Sequence, residues 1–257
     1  MTTSVRVGKH PFVHFEVRRV RASEAMGWLR AGWDDLRHVG MAGYAHGALI
    51  AILGAVLLIT SSTHLYLVAA AVSGYLLVGP LMTSGPCELS RRRAAQEPLG
   101  FDESLNAVSR NPEGLLQFGV VLAAIAAVWF AASQIMLQSL PHASSLSLSG
   151  ALWGSFTDSV SGPQLIAYVG FGAVLAAIVF ALSVVAVPLL IDRHATAAEA
   201  MWASVRCTFW NLPAMFVWSA LIVGLTALGF ATMLLGMVVV APLLGHATWH
   251  AYRALIR

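Results

Sequence analysis

From Leu212 to Leu244 the chain carries no charged side chain. As helix, at about 1.5 Å per residue, that is about 50 Å, well beyond the roughly 30 Å of a bilayer's hydrocarbon core. Shorter uncharged stretches occur at Met41–Thr60, His64–Met82, Leu115–Gln138 and Leu165–Ile191. Each is about the length that a membrane-crossing helix needs, and in hydrocarbon only helices satisfy their own backbone groups within one segment. Composition points the same way. The chain is 58% apolar and 11% charged, where soluble domains average about 45–50% and about 25%. Its mean hydropathy is +0.75. A soluble globular domain, a disordered chain and a nucleic-acid binder are excluded on this ground, and a net charge of +3 by itself predicts no polyanionic partner.

The long final run reads as two helices turning near Gly229, because one span of that length would need extreme tilt. With six spans every Lys and Arg falls on one side: seven before Met41, then Arg91, Arg92, Arg93 and Arg110, then Arg193 and Arg206, then Arg253 and Arg257. The other side holds only short connections and the loop Ser139–Gln164, with Asp158 as its charge. The excess of cations on cytoplasmic loops then places both termini in the cytoplasm. No apolar signal sequence precedes residue 41. Cys87 and Cys207 fall on the cytoplasmic side as small buried hydrophobes.

Three returning spans end alike, around Pro80, Pro188 and Pro242, and each outgoing span follows a polar segment beginning at Glu24, Glu103 or Glu199. The expected architecture is all-α: a single membrane domain over 1–257, with three quasi-repeated hairpins, each preceded by a cytoplasmic interfacial helix. The expected spans are 41–60, 64–82, 115–138, 165–191, 212–230 and 231–250, with the first interfacial helix at 23–37. In the third unit Thr196 and Glu199 form a capping box. Ala198, Met201, Trp202, Val205 and Phe209 then fall on one apolar helical face.

The segment Trp28-Leu29-Arg30-Ala31-Gly32-Trp33-Asp34-Asp35 resembles the N-terminal signature of an uncharacterised bacterial family of predicted integral membrane proteins. So do Gly79-Pro80-Leu81, Glu88-Leu89-Ser90-Arg91-Arg92, Pro188-Leu189-Leu190-Ile191-Asp192-Arg193 and the closing stretch from Pro242 to Arg253. The resemblance runs over about residues 18–255. It implies a bacterial inner membrane and six spans, and it carries over no activity.

His246 and His250 stand at i and i+4, so their imidazoles share a helical face, and His46 falls at a similar depth. Three histidines at one level would suit copper, or haem through one of them, against the more ordinary role of histidines bonded to backbone or headgroups. Without such a site the chain needs no cofactor. Trp28, Arg30, Trp33, Glu88, Arg91, Arg92, Asp192, Arg193, Trp249, Tyr252 and Arg253 read as contacts to anionic lipid headgroups or to a partner. The spans contain no Asp, Glu, Lys or Arg, which argues against an ion-coupled carrier. Phosphate-binding, dinucleotide and zinc-protease motifs are missing. The favoured reading is a non-enzymatic scaffold or accessory subunit that packs against another membrane protein or itself, with the stripe Gly170, Gly172, Ala173 and Ala177 suited to close helix packing. The alternatives are a His-based haem or copper protein and a channel for a small neutral solute lined by Ser, Thr, Gln134 and Asn211.

Overall fold

In the computed structural model, residues 15–61, 79–138 and 161–257 are described. The expected span 64–82 lies outside them except for its last four residues, and the loop 139–164 lies outside them except at its end. The helices are α1 (Glu24–Val39), α2 (Met41–Ser61), α3 (Ser84–Ala94), α4 (Phe101–Arg110), α5 (Pro112–Gln138), α6 (Gly162–Ser183), α7 (Ala186–Arg193), α8 (Ala197–Trp210), α9 (Leu212–Ala231) and α10 (Met237–Leu255). The one β feature among the described residues is an isolated antiparallel bridge, Val17 to Ile256.

Among the described residues, four stretches are long and apolar enough to cross a membrane: Met41–Thr60, Pro112–Met136, Gly162–Arg193 and Leu212–Ala231. Only 17% of the first and 22% of the last is buried within the chain, so these helices present most of their apolar surface outward. The final apolar run is indeed two helices. The break is at 232–236, where Met233 and Leu234 adopt positive φ, a few residues after the expected turn at Gly229. The second helix differs from expectation. It begins at Met237 instead of 231, is not among the four long apolar stretches, and packs as the inner helix of the bundle against α1, α2 and α3.

That inner position depends on two glycines. A Cβ at Gly32 would collide with the backbone of Ala247, and one at Gly47 with the backbone carbonyl of Val238. Both bring a neighbouring helix into backbone contact with α10, the close approach that small residues permit. Trp28 then packs edge-on against Trp218 of α9, ring centroids 5.8 Å apart at 83°, a favoured aromatic geometry.

Three times a helix gives way, across a single residue, to a long apolar helix: α1–α2 at Gly40, α4–α5 at Asn111 and α8–α9 at Asn211. Gly40 supplies a positive φ of 64°, which glycine adopts without strain. Pro80 stands two residues before a helix end at Met82, as expected, but the other two prolines expected at helix endings lie inside helices instead. Pro188 is the third residue of α7, where its missing N–H has no helical acceptor to lose, and Pro242 is the sixth residue of α10. The capping box of Thr196 and Glu199 forms, with Glu199 N to Thr196 Oγ1 at 3.3 Å and Thr196 N to Glu199 Oε2 at 2.9 Å.

Candidate functional site

A polar junction joins α1, α3 and α10. The helical period puts Trp28, Gly32, Asp35, Leu36 and Val39 on the buried face of α1, so an acid is carried into the core. Asp35 Oδ2 accepts from His250 Nε2 at 2.8 Å and from Ser90 Oγ, and Asp35 Oδ1 accepts from Arg93. Arg93 also donates to Asp34 at 2.8 Å. Ser90 Oγ is 2.8 Å from His246 Nδ1. With its proton given to Asp35, the serine accepts from His246 Nδ1–H, which leaves His246 Nε2 as the lone-pair nitrogen. That atom is buried without a hydrogen-bond partner.

Burial of Asp35 favours its neutral form, but hydrogen bonds from His250, Ser90 and Arg93 and the nearby charge outweigh it and hold the carboxyl below its usual value. A depressed folded pKa gives stability that is complete above the ordinary aspartate value, about 3.9, and is lost as pH falls through the lowered value. Thermal unfolding in detergent at several pH values should therefore show wild type losing stability on acidification below about pH 4. The deficit of Asp35→Asn relative to wild type should be largest near neutrality and shrink in acid. A deficit independent of pH would contradict this account.

A second network surrounds Glu88, which is fully buried. It accepts from Arg91 at 2.8 and 2.9 Å and from Arg92 at 2.8 Å, with Arg110 Nε 3.9 Å away. Arg91 also reaches Glu97 at 2.6 Å. A third lies beside the C-terminus: Tyr252 Oη donates to Asp192 and accepts from Arg193 Nε at 3.1 Å, and Arg193 donates to the Arg257 carbonyl at 2.7 Å. Burial, then the bond to Asp192, raises the tyrosine pKa.

The residues expected at headgroups thus divide. Arg30, Trp33, Arg193 and Arg253 are exposed, whereas Trp28, Glu88, Trp249 and Tyr252 are buried, and Arg91, Arg92 and Asp192 are half-buried in internal pairs. The expected histidine trio is not assembled. His246 and His250 are joined through Ser90 and Asp35, while His46 Nε2 is 2.7 Å from Ser104 Oγ and its ring lies against Phe101. Among the described residues, no group of three or more His, Cys, Asp or Glu is placed to hold a metal ion. Asn211, expected along a pore, is buried and bonded to backbone at Arg18, Val20 and Cys207. Both cysteines are fully buried, and burial pushes each thiol up to about 12.

Sequence reasoning missed Asp35, Ser90, Ser104 and Asn111, and gave Asn211 a different role. Asp35 had a signal, an acid spaced on the apolar stripe of α1. The asparagines had another, each standing immediately before a Pro-containing start of a long apolar helix.

Long outward-facing apolar helices above buried ionic junctions define the class: an all-helical integral membrane protein. Residues 67–192 match the model of a family described as Predicted integral membrane protein (DUF2189), a family of unknown function. The match includes Ser90 and the Glu88 network but not Asp35, His246 or His250, and is narrower than the 18–255 of the resemblance. No curated protein and no solved structure matches the chain.

Proposed function

We propose that the protein is a non-enzymatic scaffold or accessory subunit of a bacterial inner membrane, crossing it several times with both termini in the cytoplasm. The observation that carries this reading is the outer face of α6. Gly172 turns toward Trp129, but Gly170, Ala173 and Ala177 remain exposed along one side, and Gly170 has open space where a Cβ would stand. Small residues at this spacing let another helix approach closely in lipid. The partner is a membrane protein or a second copy of the chain.

Disulfide cross-linking in native membranes tests it, since the two native thiols are buried. A cysteine at Ala173 should cross-link to a second polypeptide, and one at Val223, exposed on α9, should not. Ala177→Trp should abolish co-purification of that polypeptide. Absence of cross-linking at Ala173, or equal cross-linking at both sites, would overturn the reading.

A metal-binding reading retains one favourable observation, the unpartnered Nε2 of His246. Equal, near-zero copper and iron in purified wild type and His246→Ala would remove it.

A further inference from the structure

The breaks and lead-in segments of three helices that precede long apolar helices are hydrogen-bonded to one another at one end of the bundle. Asn111, at the α4–α5 break, donates to the carbonyls of Leu190 (3.1 Å) and Ala195 (2.8 Å), just ahead of α8. Asn211, at the α8–α9 break, donates to the Arg18 carbonyl (3.0 Å) and accepts from Val20 N (2.8 Å), just ahead of α1. His46 of α2 meets Ser104 of α4. The segment ahead of α1 and the C-terminal residues close the circuit: Arg18 N donates to the Leu255 carbonyl at 2.8 Å and Arg257 N to the Glu16 carbonyl at 3.1 Å. Each asparagine thus holds the lead-in of the next unit, and the third unit holds the first.

Every member of this ring leaves large apolar side chains uncovered: Trp33 on α1 is 42% exposed, Val108 on α4 57% and Phe209 on α8 64%. Their inward faces are packed, and each helix is one residue away from an apolar helix that itself faces outward. Cations are interleaved with these side chains. Arg30, Arg37, Arg206 and Arg253 have no carboxylate partner among the described residues, whereas Arg91, Arg92 and Arg93 are occupied by acids. Arg206 lies over the exposed ring of Trp210 at 4.9 Å. Uncovered aromatics beside arginines that no carboxylate holds match the chemistry of the headgroup layer, apolar below and anionic above.

We infer that α1, α4 and α8 form a closed collar embedded in the headgroup layer of a single leaflet, binding anionic phospholipid through Arg30 and Arg37 of α1 and Arg206 of α8, together with the exposed Arg253 at the end of α10, where the Leu255 carbonyl is bonded to Arg18. The collar displaces the lipid-binding role from the Arg91–Arg93 cluster, which the buried acids consume. It needs no protein partner, so it stands or falls separately from the scaffold reading.

The test uses full-length protein in phosphatidylcholine vesicles with and without phosphatidylglycerol. Single cysteines replace Trp33, Val108 and Phe209, with Ala94→Cys, exposed on α3, as the water-facing reference. Met26→Cys and Leu105→Cys, both exposed, replace any variant that fails to fold. A charged, water-soluble maleimide should label the collar positions far more slowly than position 94 in vesicles, and all positions at similar rates after solubilisation and delipidation. Arg30→Gln and Arg253→Gln should each lower retention of phosphatidylglycerol relative to phosphatidylcholine by about fivefold, the equivalent of about 1 kcal/mol per surface arginine. Collar positions labelled in vesicles as fast as position 94, or lipid selectivity unchanged in both arginine variants, would overturn the inference.

Discussion

Gly47→Ala is expected to strip the protein of most of its folded fraction, although it adds a single methyl group. The added Cβ would occupy the space of the Val238 carbonyl and Cα, so no side-chain rotation relieves it and α2 must separate from α10. Overpacking in a fitted core costs typically about 1–3 kcal/mol. A clash with backbone lies at the upper end of that range or beyond, because two whole helices must move. Gly224→Ala is the matched control. A Cβ there meets nothing within 4 Å, and alanine in a helix is favoured over glycine by roughly 1 kcal/mol. Size-exclusion profiles of a fluorescent fusion, followed by melting in detergent, should show the first variant aggregated or sharply destabilised and the second at least as stable as wild type. Equal behaviour would show that α2 and α10 are not packed backbone to backbone.

Glu88→Ala carries the second large effect. Glu88 has no exposed side-chain surface, and Arg91 and Arg92 retain only 11% and 14% of theirs. Removing one partner of a buried pair leaves charge that neither water nor protein compensates, at a cost of about 3–5 kcal/mol. Arg92 suffers most, because its remaining contact to Glu97 is 3.8 Å long. Glu97→Ala should do much less, since that carboxylate is 40% exposed and Arg91 keeps Glu88. A conservative Glu88→Gln should fall between, retaining an acceptor without the charge. The ordering of melting temperatures, wild type, Glu97→Ala, Glu88→Gln, Glu88→Ala, is the expected result. Glu88→Ala melting with wild type would place the carboxylate in solvent.

How much of this was legible in the sequence follows from the range of each interaction. The long apolar helices needed only composition and length, and the capping box at Thr196 only a local spacing. The pairing of Glu88 with Arg91 and Arg92 was also local, at i, i+3 and i+4 on one helix. The headgroup reading obscured it, because it took the acid and the arginines together as outward contacts instead of as partners of one another. The contacts Asp35–His250, Asp35–Arg93 and Asn211–Arg18 join residues far apart in the chain. No periodicity encodes those, since they exist only once α10 is inserted beside α1 and α3. The same insertion explains why Trp249 and Tyr252, which look like interfacial anchors by composition, are buried: their helix is inside the bundle instead of at its rim.

The arrangement of the chain in the membrane is the claim on which the rest depends, and a topology reporter reads it most directly. A reporter active only in the cytoplasm should be active when fused after Arg257 and silent when inserted after Ser149. Silence at Arg257 together with activity at Ser149 would invert the protein and contradict the account.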